Sequence, residues 1–400
     1  MSSTKKRPRD SKLDVVLVCC GEPKKSMGWF HLTQLLADER VVVSAVVEPW
    51  FLGPGAEKPG ADKFAELRAN TEGVLFCSSI DEVPQREDQA APRLFLLAGR
   101  TCDAPRLFAA AIERGASHVY IEKPGAETAA DLETMQQLAD ARGVQVVVGY
   151  NKNVAAYARE ACAVLRERQD GDGPLPQVTL EHCNAFAPGD ELNDFLRGPG
   201  GEGMLHNMCC HELALAATLF GVECTRLRRV TLDPQRSELV ELGEGRADWQ
   251  RVTFRMELDA HASPPAGCVP LTELTLTADR CGGNFSRIRL SDKAEGEAGG
   301  EAPAVSDFRL PTVEQEARIL EAQAADPEIR PYFLQQAPDY ERLKSVFVAH
   351  ILDGKPGIPT GVVGLDGAIE ALRLADLLKG VLKQCSLKKV HTWEPPALRA

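Results

Sequence analysis

The sequence predicts a doubly wound α/β domain followed by an α+β domain built on an open, mostly antiparallel sheet. Three observations carry this. In the first 150 residues, short continuous apolar runs alternate with segments of helical spacing, as in parallel strands buried on both faces. Beyond Tyr150 those runs give way to apolar–polar alternation, the pattern of a sheet with one wet face. The 400 residues suffice for about two or three domains, and the change of pattern divides a flexible basic tail (1–12), a first domain (13–150) and a second (151–400).

The apolar run 14–20 reads as a buried strand stopping at Gly21, with Cys19 and Cys20 on its opposite faces. Residues 27–37 follow with Trp29, Leu32, Leu35 and Leu36 at helical spacing, and 41–47 form a second strand closed by Glu48-Pro49. After a Gly/Pro-rich loop and a helix over 61–69, strands over 74–77, 94–97, 118–121 and 144–148 alternate with helices over 105–114 and 126–142. Right-handed crossovers between such strands give a doubly wound sheet. In the second part we expect a helix over 155–167, a strand over 178–183 and one continuous helix over 204–219. Alternating segments at 226–232, 251–258, 271–277 and 287–290 supply the antiparallel sheet. Residues 292–306, rich in Gly, Glu and Ala, read as a mobile loop, and helices at 339–352 and 365–382 follow.

The net charge of −12 argues against nucleic acid or an anionic membrane as partner, since both need a basic surface. The 12 cysteines are scattered without Cys-x-x-Cys spacing, so they read as reduced thiols in a cytoplasmic protein. No secretory leader is expected from the polar residues 1–12, and the basic cluster at 5–9 reads as a solvated tail in preference to a nuclear-import signal. His206 and His211, five residues apart, would point about 140° apart on a helix, so no metal is expected.

The turn after the first strand, Cys19 to Gly28, has the place of a phosphate-binding turn, where small residues let the backbone reach a pyrophosphate at a helix N-terminus. Gly21 and Gly28 match the second and third glycines of G-x-G-x-x-G, Cys19 replaces the first, and the turn carries about four extra residues. Ser26, Met27, Lys24 and Lys25 stand where they could contact phosphate. Glu48, ending the second strand, suits the ribose hydroxyls and would repel a 2′-phosphate, so NAD is favoured over NADP. These features define a Rossmann-like dinucleotide-binding domain.

Glu122-Lys123-Pro124 closes the fifth strand, Tyr150-Asn151 the sixth, and a glycine-rich loop (200–203) leads into Asn207-Met208-Cys209-Cys210-His211. Alone, a Lys-Pro at a strand end is a surface turn, and a histidine on a helix is a core residue. In this order, with Gly354-Lys355-Pro356 and a long final helix, the pieces resemble the glucose-fructose oxidoreductase / inositol dehydrogenase (Gfo/Idh/MocA-like) family across nearly the whole chain. The resemblance implies an NAD(P)-dependent oxidoreductase acting on a sugar, cyclitol or similar polyol, and a homo-oligomer. It implies that Lys123 binds the reacting oxygen and the cofactor, with Glu122, Gly99 and Arg100 beside it, and that His211 transfers the proton. Asn207, Asn151 and Arg197 would bind the hydroxylated substrate. Two departures stand out. Asp103 occupies a position where the family often has histidine, and Asn207 replaces an aspartate one helical turn before His211, so it supplies no negative charge. A dinucleotide-binding regulator without turnover, or an enzyme for an imine or linear-tetrapyrrole-like substrate, is the alternative.

Overall fold

The computed structural model describes residues 12–85, 91–171, 175–197, 203–243, 246–292 and 305–395. The basic cluster 5–9 and the glycines at 200 and 201 lie outside them. The chain divides into two compact units. The first runs to Gly149 and takes up Arg318–Leu365, and the second comprises Tyr150–Ala317 and the chain from Asp366.

The first unit holds β1 (Leu13–Val18), α1 (Met27–Leu36), β2 (Val41–Val47), α2 (Ala61–Asn70) and β3 (Leu75–Cys77). It continues with β4 (Arg93–Leu97), α3 (Ala104–Glu113), β5 (His118–Ile121), α4 (Ala129–Arg142) and β6 (Gln145–Val148). All neighbouring strands are parallel, in the order β3-β2-β1-β4-β5-β6. The apolar runs end up buried on both faces: Val15 to Val18, Phe95, Leu96, Val119 and Tyr120 have no appreciable exposure. Strand order reverses between β1 and β4, so the turns at their carboxyl ends border the crevice where such sheets bind ligands. Helix α4 starts three residues later than its apolar spacing suggests, because the Thr128 hydroxyl caps it by accepting from the Asp131 N–H at 3.1 Å.

The second unit contains α5 (Ala156–Asp170), β7 (Gln177–Cys183), α6 (Asp190–Arg197), α7 (Cys210–Leu219), β8 (Leu227–Leu232), β9 (Glu238–Gly243) and β10 (Arg246–Leu258). Then come β11 (Glu273–Asp279), β12 (Phe285–Ser291) and β13 (Val305–Leu310). Helix α8 (Val313–Ala325) spans the change of unit, α9 (Pro331–Leu352) belongs to the first unit, and α10 (Leu365–Lys388) and β14 (Thr392–Trp393) end the described chain. The sheet runs β13-β12-β7-β11-β10-β8-β14, with β9 on β10, and only β7–β11 is parallel. Alternation decides its faces. On β10, Val252, Phe254, Met256 and Leu258 are buried, while Arg251 and Arg255 are exposed. The polar face is laced by cross-strand pairs such as Arg287–Glu181 at 2.6 Å and Arg255–Glu273 at 3.5 Å. Strand β13 includes residues that composition suggested were loop. Among the described residues no helix is long and apolar enough to cross a membrane.

The sequence places 318–365 with the second domain, whereas the structure gathers it with the first sheet. The cause is aromatic packing. Phe333 of α9 stacks on Phe30 of α1 at 4.9 Å, with Tyr340 edge-on to the same ring at 6.0 Å. This packing carries α9 through Pro338, eight residues before the start that proline avoidance suggests. Phe333→Ala should lower stability by about 3–5 kcal/mol, measured by urea unfolding; a loss below about 1 kcal/mol would show that α9 is held by other means.

Candidate active site

Strand β1 stops at Val18, and the chain turns through left-handed positions at Cys19 (φ 67°), Gly21 (φ 72°) and Lys24 (φ 65°). Cys19 and Cys20 therefore lie in the turn, not on opposite strand faces as expected. Cys19 holds a conformation that usually selects glycine, at a cost of about 1 kcal/mol. Burial, reinforced by the charges of Glu48 and Asp103, pushes the Cys19 thiol up to about 12, so it stays protonated. Gly28 is obligatory: a Cβ there would lie 1.9 Å from the Cys19 carbonyl oxygen. That close approach sets the start of α1 against the end of β1, the role foreseen for the third glycine. A Cβ on Gly99 would lie 3.1 Å from the Cys19 sulfur, so the turns after β1 and β4 also press together. Arg100 stands exposed just beyond.

Other groups of the turn are occupied differently from the sequence reading. Buried Glu48 accepts hydrogen bonds from the backbone N–H of Gly21 (2.6 Å), Trp50 (3.0 Å) and Phe51 (3.3 Å). Three of its roughly four acceptor directions are thus spent inside the protein, which leaves one for a ribose hydroxyl. Lys24 pairs with Asp326 (2.8 Å) and Glu328 (3.5 Å), and Lys25 with Glu22 (2.7 Å). The Ser26 hydroxyl accepts from the Glu22 N–H at 2.9 Å and does not cap α1. Met27 accepts from the Tyr332 hydroxyl. The backbone cradle at Gly28 and the uncapped first turn of α1 fit a pyrophosphate, with the lysines withdrawn into ion pairs.

At the end of β5, Glu122 is held on its Oε1 by His31 Nε2 (2.9 Å) and the Tyr120 hydroxyl (3.1 Å). Burial keeps the Tyr120 phenol protonated, as a donor must be. A Cβ on Gly149 would meet the same oxygen at 2.6 Å, so the backbone there runs close beside the carboxylate. The Gly125 N–H donates to the Glu122 carbonyl at 3.0 Å and closes the turn that carries half-buried Lys123. On its far side, His31 Nδ1 receives Lys344 Nζ of α9 at 2.8 Å. Burial, then the Lys344 charge, pulls His31 down to about 4, and burial pulls Lys344 down to about 7. His31, Tyr120 and Lys344 were not singled out from the sequence. The available signal was a lysine inside the apolar stripe Tyr340, Leu343, Phe347 of α9.

In the second unit, the expected continuous helix over 204–219 is interrupted. Residues Met204–Met208 form a π turn, with Cys209 N–H donating to the Met204 carbonyl at 2.9 Å, and α7 begins only at Cys210. The helical one-turn spacing invoked for Asn207 and His211 therefore does not apply, because Asn207 sits in the π turn and His211 in the first turn of α7. His211 is buried, with its ring edge-on to Tyr150 at 5.7 Å. Asn151 is fully buried in the turn Asn151–Val154, which packs on α7. Behind these residues Lys152 donates to Glu212 at 2.6 Å and contacts His182 at 3.1 Å. Burial would raise the Glu212 carboxyl, but the Lys152 charge, aided by His182, holds it below the ordinary range. His206 pairs with Asp376 at 2.8 Å, and Arg197 ends α6 exposed.

Residues 55–150, from the approach to α2 through the Glu122-Lys123-Pro124 turn to Tyr150, match the model of an oxidoreductase family with an NAD-binding Rossmann fold, Gfo/Idh/MocA. The match covers that segment of the first unit, and the chain as a whole shares its fold with solved dehydrogenases. A myo-inositol dehydrogenase from Corynebacterium glutamicum is similar at 19% identity and TM-score 0.64, over 96% of this chain and 99% of that one. A scyllo-inositol dehydrogenase from Lactobacillus casei, solved with NAD(H) and scyllo-inositol, matches at 14% identity and TM-score 0.65 over 96% and 99%. A UDP-N-acetylglucosamine 3-dehydrogenase from Acidithiobacillus ferrooxidans matches at 15% identity and TM-score 0.56 over 92% and 97%.

His31 makes acid stability a direct readout of the buried network. Its folded value, about 4, lies below the unfolded value of 6.5, so between these the unfolded chain binds a proton that the fold refuses. Stability should fall as pH drops from 6.5 towards 4, by up to about 3 kcal/mol from this group. The charged and titratable groups facing His31 are Glu122, Lys344, Tyr120 and Tyr340. His31→Gln should flatten that limb in urea unfolding at stepped pH; an unchanged slope would mean that His31 is protonated in the fold.

Proposed function

We propose that the chain is a dehydrogenase that uses NAD, in preference to NADP, on a secondary alcohol or ketone of a sugar, cyclitol or similar polyol. The observation that carries this is the Glu122–Lys123–Pro124 turn, with Glu122 fixed from below at the carboxyl edge of a sheet whose strand order reverses beside it. The inositol dehydrogenases among the similar structures support the substrate class.

Bound nicotinamide would take the hydride from the carbinol carbon or return it. Lys123 is assigned to the reacting oxygen, where its positive charge stabilises the alkoxide as the hydroxyl proton leaves. His211 is assigned to accept that proton in oxidation and donate it in reduction. Asn151, Asn207 and Arg197 are assigned to the remaining hydroxyls: the two amides both donate and accept, and the guanidinium donates. Gly21, Ser26, Met27, Gly28, Gly99 and Arg100 would border the cofactor. The carboxylate of Glu48 disfavours a 2′-phosphate nearby, which is the basis for preferring NAD.

A second reading, a dinucleotide-binding regulator without turnover, is favoured by the ion-paired Lys24 and Lys25 and by Asn207. The two part on one experiment. The 4 tryptophans allow titration with NADH and NADPH by fluorescence and energy transfer. The enzyme reading expects saturable micromolar NADH binding, weaker NADPH binding and NAD reduction with a polyol or inositol. Lys123→Ala and His211→Ala should each lower kcat about 10²- to 10⁴-fold, with NADH affinity largely kept in His211→Ala and weakened in Lys123→Ala. Binding without turnover on any polyol supports the regulator, and no binding by the folded, cofactor-free protein removes both.

A further inference from the structure

We propose that Asp248 is a positioning residue for the π turn Met204–Met208, and so for Asn207, which that turn carries. Met204 opens the turn and is buried, so its N–H has neither a helical partner nor water. Asp248 Oδ1, on β10, accepts that N–H at 2.9 Å. The carboxylate is itself held, because Arg280 Nη2 donates to its other oxygen at 2.8 Å. Arg280 lies just past β11 and has no exposure at all. Its Nε donates to the Trp249 carbonyl at 3.2 Å, and its guanidinium lies over the Phe195 ring at 5.3 Å. A rigid planar fork fixed in this way leaves the carboxylate one orientation.

The donor and acceptor roles are forced. A carboxylate has acceptors only, and the two groups that face it have donors only. One oxygen serves the arginine and the other serves the turn. An amide in the same place cannot serve both. The charged arginine is the stronger donor and takes the amide oxygen, which leaves NH₂ against the Met204 N–H. The bonds of the turn start from this anchor. Asn207 N–H donates to the Gly203 carbonyl at 3.0 Å, and Cys209 N–H donates to the Met204 carbonyl at 2.9 Å. The second bond spans five residues where an α-helix spans four, so it sets Asn207 off the face that regular helix would give it. Holding the Met204 N–H holds the residue whose carbonyl makes that bond.

The substrate role of Asn207 rests on the dehydrogenase reading; the anchoring of the turn does not. The experiment therefore begins on the full chain without ligand, with amide exchange compared in wild type and Asp248→Asn. We expect exchange at Asn207 and Cys209 to be faster by about tenfold or more in Asp248→Asn, with β7 and the middle of α7 unchanged. Should Asp248→Asn fold poorly beside the buried guanidinium, two neutral pairs pose the same question. Asp248→Asn with Arg280→Met keeps an acceptor for the Met204 N–H, whereas Asp248→Leu with Arg280→Met keeps the shape without one. The first pair should keep the turn slow and the second should not. Unchanged turn exchange in Asp248→Asn, or equal turn exchange in the two pairs, would overturn the proposal. Kinetics with myo-inositol then read the consequence for substrate. Asp248→Asn should raise KM about tenfold with NADH affinity kept, whereas loss of folded enzyme alone would lower kcat at constant KM. That second result would remove the link to Asn207. No turnover of myo-inositol or other polyols by wild type counts against the dehydrogenase reading, while exchange still decides whether Asp248 anchors the turn.

Discussion

A histidine ring with no exposure must have both nitrogens satisfied inside the protein, and His31 meets that demand with a lysine on one side and a glutamate on the other. Much of the first unit follows from this. The ring joins α1, the end of β5 and α9, three elements far apart in sequence. The segment Arg318–Leu365 joins the parallel sheet through Phe333 and Tyr340, which close the apolar shell around Phe30, and α9 thereby brings Lys344 to the ring. Breaking such a network on one side leaves a buried charge or lone pair without its partner. That is costlier than the net worth of the intact pair.

The second unit solves a similar problem with Lys152, Glu212 and His182, buried beneath the turn that presents Asn151 and the helix that presents His211. In both units a buried carboxylate held by hydrogen bonds lies directly beside a residue assigned to chemistry: Glu122 on His31 in the first, Glu212 on Lys152 in the second. Glu122 precedes Lys123, Lys152 follows Asn151, and Glu212 follows His211. A buried polar contact of this kind adds little net stability but allows few geometries, which suits a site that needs fixed donors.

The fold was legible in the sequence wherever periodicity spoke. The runs 41–47, 94–97 and 118–121 are strands because continuous Val, Ile and Leu suit a sheet buried on both faces, and the β10 alternation follows its one-sided burial. Gly28 was legible from position alone, and its 1.9 Å conflict with a Cβ gives the reason. What was not legible came from long-range contacts. The π turn at Met204–Met208 breaks no propensity rule, so composition read it as helix. Nothing local reveals that Gly21, Trp50 and Phe51 turn their N–H groups onto Glu48. Lys344 passed unnoticed because one lysine in an apolar stripe is commonly a residue that carries its ammonium out to water. Here it turns inward to His31, more than 300 residues away in sequence.

The central claim is that a dinucleotide is held at the carboxyl edge of the first sheet by the turns after β1, β2 and β5. Hydrogen–deuterium exchange with and without saturating NADH tests it most directly, because it reports where the ligand acts as well as whether it binds. The account predicts slowed exchange in residues 19–28, 48–51 and 121–125, with β3 and the polar face of the second sheet unchanged. Slowing confined to other segments, or none at any NADH concentration tested, would contradict it.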